Sequence, residues 1–107
     1  MSKVNRFERS VANIVEHWRL LWHNDDPDCP VEAFYELGDD GYETRKVHIF
    51  RDGRHDYADE TRWTEDTELG DQRVEEEDKE STPELEMMRV SSEQFNTAWC
   101  RAREWSQ

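Results

Sequence analysis

The sequence predicts an α+β domain: an antiparallel meander sheet of four or five strands with a C-terminal amphipathic helix packed on one face. Two observations carry that prediction. Alternating apolar and polar residues run from Ile14 to Thr61, broken by turn residues, and a helical stripe of Phe95, Ala98, Trp99 and Ala102 closes the chain. At 107 residues the length suits one domain. Only 34% of the residues are hydrophobic, but five tryptophans, Trp18, Trp22, Trp63, Trp99 and Trp105, add large burial capacity to a modest core.

Residues 1–13 are weakly patterned, with Val4, Phe7 and Val11 at spacings that suit a short helix or an arm. From Ile14 to His23, Trp18, Leu20 and Trp22 share one parity and His17, Arg19, Leu21 and His23 the other, which reads as a strand with one face in the core. Asn24-Asp25-Asp26-Pro27-Asp28-Cys29-Pro30 is a turn, from fixed proline φ angles and aspartates that bond nearby amides. Val31–Leu37 alternates as a second strand, and Gly38-Asp39-Asp40-Gly41 signals a tight hairpin. Tyr42–Arg51 is a third strand, Asp52-Gly53 a second hairpin turn, and Arg54 to Thr61 a fourth strand anchored by Tyr57.

Residues 62–83 read as an extended or mobile acidic loop, with Gly70 and Pro83 as breakers and Trp63 as its one large apolar group. Residues 84–90 suit a short strand, with a helix as the alternative. The helix over 91–105 starts at a Ser91 cap with Gln94 three residues on, and Trp105 continues its stripe. Arg101 and Arg103 near its end complement the helix dipole.

Charge is the strongest functional signal. Thirteen of the 27 acidic residues lie between Asp59 and Glu86 against three cations, Arg62, Arg73 and Lys79, which leaves −10 of the chain's −13 in that stretch. Such a field repels nucleic acid and anionic membrane and attracts basic surfaces. The expected partner is therefore a basic protein, toxin-like or nuclease-like, with no direct nucleic-acid or membrane binding. The contact residues expected are Trp63, Glu65, Asp66, Glu75, Glu76, Glu77 and Asp78, carboxylates that imitate phosphates beside an aromatic anchor. The bland alternative is a solvated linker that keeps the protein soluble.

The remaining motifs exclude more than they offer. Cys29 and Cys100 have no framework or zinc-knuckle spacing and read as free thiols. His17, His23, His48 and His55 lack the close pairs of a zinc site, and the aspartate clusters lack the ligand order of a calcium loop. With no Gly-rich phosphate loop, serine elbow or Cys-His signature, no metal or cofactor is expected. A small enzyme or ligand-binding pocket on the sheet, lined by Glu43, Arg45, His48 and Arg51, is the alternative to a non-catalytic binder. Cross-strand pairing of those charges with Glu32 or Glu36 is the structural explanation. Lys3, Arg6 and Arg9 interrupt the first residues and no 18-residue apolar run exists, so a cytoplasmic protein is expected.

Trp22-His23, Pro30, Glu36-Leu37, Glu43, Arg45-Lys46-Val47, Phe50 and Asp52-Gly53-Arg54, followed by Phe95 and Trp99, form a pattern that resembles a family of small acidic bacterial proteins defined only as a domain of unknown function. The resemblance supports the fold and transfers no catalytic residue. Proteins of this build also look like the immunity proteins that accompany bacterial toxins, a likeness of class alone.

Overall fold

The computed structural model of the protein describes residues 13–105, so the arm or short helix expected over 1–13 lies outside them except for Asn13. Five strands, β1 (Ile14–Trp22), β2 (Pro30–Gly38), β3 (Glu43–Phe50), β4 (His55–Asp59) and β5 (Leu85–Arg89), precede the helix α1 (Ser92–Trp105). They form one antiparallel sheet in the order β4-β3-β2-β1-β5. The fold is therefore the α+β meander with a C-terminal helix.

Both hairpins use three-residue loops. Gly41 and Gly53 take positive φ values of 84° and 91°, and no other described residue does, which excludes the two-residue Asp-Gly turn at 52–53. Instead the amides of Gly41 and Gly53 return to the carbonyls of Gly38 and Phe50, at 3.0 and 2.9 Å. The Asp40 and Asp52 side chains accept from the amides of Tyr42 and Arg54. β4 stops at Asp59, two residues before the expected end, because the backbones of Asp59 and Arg62 pair and turn the chain away.

Helix α1 begins in a reciprocal capping box: the Ser91 amide donates to the Gln94 side chain and the Gln94 amide to Ser91 Oγ. Its buried stripe, Phe95, Ala98, Trp99 and Ala102, packs on Phe34 and Val47, with Ile49, Tyr57 and Val90 at the margin. Phe34, Val47 and Tyr57 face one another across three strands. The Tyr57 ring meets Trp99 edge-on at 5.1 Å, a favoured aromatic geometry.

The sheet's other side is buried as well. Ala33, Tyr35, Leu37, Phe50 and Ala58 are all nearly inaccessible yet lie outside the helix cluster. Alternation in β1 is present, but α1 covers the His17 side of it, where the His17 ring lies 5.2 Å from Phe95. The tryptophan side faces away from the helix and is half-buried. Covering falls there to residues 60–84, which carry the chain from the β4 edge to the β5 edge.

Both edges are closed by the chain itself. On β5, the Leu85 backbone pairs with Thr82, and Ser81 Oγ bonds both the amide and the carbonyl of Met87. On β4, Asp56 accepts from the Tyr57 amide and Arg62 donates to the Tyr57 carbonyl. Occupied edges do not recruit a further strand.

Trp99→Ala should destabilise the fold by about 3–5 kcal/mol, the range for a large buried aromatic. An unchanged denaturant midpoint would show that the helix does not seal this face.

Candidate functional site

The acidic crossover is anchored at successive points. At β4, Thr64 donates to Asp56, and Thr64 and Thr67 close a small loop in which the Thr67 amide bonds Thr64 Oγ1 at 3.1 Å. Thr67 is 1% exposed, and its hydroxyl lies 2.9 Å from His48 Nδ1 on β3. Lys46 reaches the Glu68 carbonyl at 3.2 Å and the Glu43 carboxylate at 2.8 Å. The same carboxylate accepts the Gly70 amide at 2.7 Å. The Val74 amide then donates to Gly41 in the first hairpin, at 2.8 Å.

Beyond that point Glu76–Lys79 makes a single 3-10 turn, capped reciprocally by Glu75 and Asp78. Lys79 folds back onto Glu16 of β1 at 2.9 Å and onto Glu76 at 2.9 Å. Burial works to lower the Lys79 ammonium, but its bonds to Glu76 and Glu16 outweigh that and raise it. Beneath the segment, burial and the charges of Glu43, Asp78 and Glu16 push the Tyr35 phenol far up. The expectation of an extended or mobile loop therefore meets a segment without strands that is bonded to β1, β3 and β4. Its anchors are amides and short polar side chains, which an acid-rich composition hides.

The carboxylates left over point outward. Glu65, Glu68, Asp71, Glu77, Glu80 and Glu84 are exposed and have no cation at ion-pair distance among the described residues. Asp66 pairs with Arg54 at 3.2 Å, and Glu75 approaches Arg73 at 3.7 Å. Trp63 is 61% exposed. The expected contact residues thus fall into two groups: Trp63, Glu65 and Asp66 by β4, and Glu75, Glu76, Glu77 and Asp78 by β1. Three strand spacings, about 14 Å, separate those strands. A standard interface of about 800 Å² per partner is wide enough to cover both.

The pocket anticipated from Glu43, Arg45, His48 and Arg51 is not assembled. A bulge where Leu37 pairs with Glu43 breaks the parity of β3 and turns Glu43 under the crossover, where regular alternation also places His48, while Arg45 faces α1. Arg51 is exposed in the second hairpin and bonds the Asn24 carbonyl. Arg45 makes the cross-strand pair with Glu36, and Glu32 pairs with Arg19 instead.

That Glu36–Arg45 pair is the polar centre of the helix interface. Glu36 is 3% exposed and accepts from Arg45 at 2.6 and 2.8 Å, from Thr44 at 2.7 Å, and lies 3.0 Å from His17 Nε2. The Arg45 guanidinium lies 4.8 and 5.0 Å from the Phe95 and Trp99 ring centres and bonds Asn96. Burial alone would raise the Glu36 carboxyl, but the Arg45 and Thr44 hydrogen bonds and the Arg45 charge hold it below the usual range. The four histidines go to separate partners: His17 to Glu36, His23 to Glu86, His48 to Thr67 and His55 to the Gly53 carbonyl. No cluster of three or more metal-ligating side chains forms among the described residues. Cys29 and Cys100 are free thiols.

Fold and surface define a small α+β domain whose sheet carries a helix on one face and an acidic crossover on the other. The chain belongs to the DUF6881 family, a domain of unknown function, which matches residues 16–104 and so takes in the sheet from the third residue of β1 onward, the crossover and nearly all of α1. No match was found among curated proteins or among solved structures. No helix among the described residues is long and apolar enough to cross a membrane.

Two variants test this geometry. Arg45→Met strands a buried carboxylate and should cost about 3–5 kcal/mol, whereas the double change Glu36→Leu/Arg45→Met should recover most of that. Because the folded Glu36 pKa is depressed, its stabilisation is complete above the usual glutamate value of about 4.3 and is lost as pH falls through the lower folded value. An equal loss in single and double variants would contradict the pairing. His48 supplies the second test: burial, aided by the Lys46 charge, pushes its pKa down to about 4. It should remain neutral at pH 5.5 by NMR, and stability should decline as pH drops from about 6.5 toward that value. Titration of His48 near 6.5 would show that the crossover does not bury it.

Proposed function

We propose that the protein is a non-catalytic, acidic protein-binding inhibitor of the immunity type, acting in the cytoplasm of a bacterium. Its partner is a basic protein, toxin-like or nuclease-like, whose nucleic-acid-binding surface it occupies by imitating phosphates. One observation carries the reading: the unpaired carboxylates stand on a crossover bonded to three strands. A solvated linker needs no such anchoring. An anionic surface ordered before contact spends less conformational entropy on binding.

Five of the six residues Glu75–Glu80 are acidic, a local charge density that suits a cleft built for polyanions. The closed sheet edges support the same reading, because strand addition is then unavailable and recognition falls to side chains on the faces. Exposed Trp63, at one end of the acidic surface, supplies the aromatic anchor that interfaces favour.

The test is co-purification from the native host followed by binding kinetics at two salt concentrations. Charge reversal of Glu75, Glu76 and Glu77 to lysine should slow association and flatten the salt dependence. Trp63→Ala should instead accelerate dissociation, costing about 1–3 kcal/mol. An acidic partner, or an affinity indifferent to both salt and the triple reversal, would refute the proposal.

A further inference from the structure

The helix side of the sheet holds a second feature, independent of the acidic crossover on the opposite face. Between α1 and strands β1, β2 and β5 runs a groove of about 590 Å³, a volume that suits a small-molecule site. Phe34, Met88 and Val90 supply apolar lining, and Arg19, Thr97 and Arg101 are polar groups beside them. Glu32 also lines the groove, but Arg19 Nε holds it at 2.6 Å, so those two charges offset each other. Arg101 is exposed on α1 and has no carboxylate at ion-pair distance among the described residues. In a chain of net charge −13, this groove therefore carries an unneutralised guanidinium beside an apolar surface.

We propose that this groove binds a small amphipathic carboxylate, its apolar body on Phe34, Met88 and Val90 and its carboxylate on Arg101. The chemistry follows from what each part can do. A guanidinium offers paired N–H donors that match a carboxylate in plane, and it binds such a group more strongly than a neutral donor does. Arg19 also lines the groove, lies 5.9 Å from the Phe34 ring centre and donates to Glu32 through Nε, which leaves its other N–H groups out of that bond. The apolar lining selects against small inorganic anions, which would leave it exposed to water. The guanidinium selects against amines.

Octanoate is the probe, with octanol and octylamine as controls, each titrated into the full chain and followed by backbone amide shifts. Octanoate should give saturable shifts at Phe34, Met88, Val90 and Thr97. Octanol should bind at least about ten-fold more weakly, and octylamine should leave those signals in place. Arg101→Gln, a change at an exposed position that should leave the protein folded with at most a small drop in thermal midpoint, should weaken octanoate by the same factor. Gln94→Glu adds a carboxylate to the groove wall while retaining a residue suited to the Ser91 capping box, and it should also weaken octanoate. Equal binding of octanoate and octanol, undiminished binding by Arg101→Gln, or shifts confined to another surface would overturn the proposal.

Discussion

The strand order imposes the constraint on which the rest of the structure depends. β4 and β5 occupy opposite edges of the sheet, four strand spacings apart, or about 19 Å. The chain between them must therefore cross the sheet, and α1 already occupies one face. The acidic segment takes the other, which explains why residues with so little apolar surface lie over Tyr35 and Leu37. What is exposed on the outside of that segment is set by what its inside must bond.

The two faces are held by different physics. Under α1 the contacts are aromatic and aliphatic, with the ion pair of buried Glu36 and half-buried Arg45 fixing where the helix sits. Under the crossover the contacts are mostly polar: Thr67 to His48, Gly70 to Glu43, Lys79 to Glu16. Polar contacts of this kind specify position more than they add stability. Two of the three cations in the acidic stretch, Arg62 and Lys79, are spent on β4 and β1, and the third, Arg73, lies beside Gly41 and Glu75. The cations hold the segment down, and the uncompensated carboxylates remain outside.

The sequence made the elements legible because strands and helix each carry a period. The breaks between β1 and β2, β2 and β3, and β3 and β4 follow from Pro27 among its aspartates, Gly41, and Gly53, with Pro30 opening β2, and the helix start follows from Ser91 and Gln94. Which face α1 covers was not legible, since β1 to β4 are covered on both sides and neither parity is wholly polar. The bulge at Leu37 and Glu43 then reverses the parity of one charged residue, which separates Glu43 from Arg45. Anchoring of the crossover escaped composition because amides and threonine hydroxyls do most of it. Lys79, the lone cation among Glu75–Glu80, was the available signal.

The central claim is that the acidic crossover is held on the sheet before any partner arrives. Amide hydrogen exchange of the free protein tests it most directly, at Thr67, Gly70 and Val74, whose N–H groups donate to Thr64 Oγ1, Glu43 Oε1 and the Gly41 carbonyl. These three amides should exchange orders of magnitude more slowly than the exposed amides of Glu65 and Gln72. Exchange at the rate of an unstructured chain across all three would contradict the account.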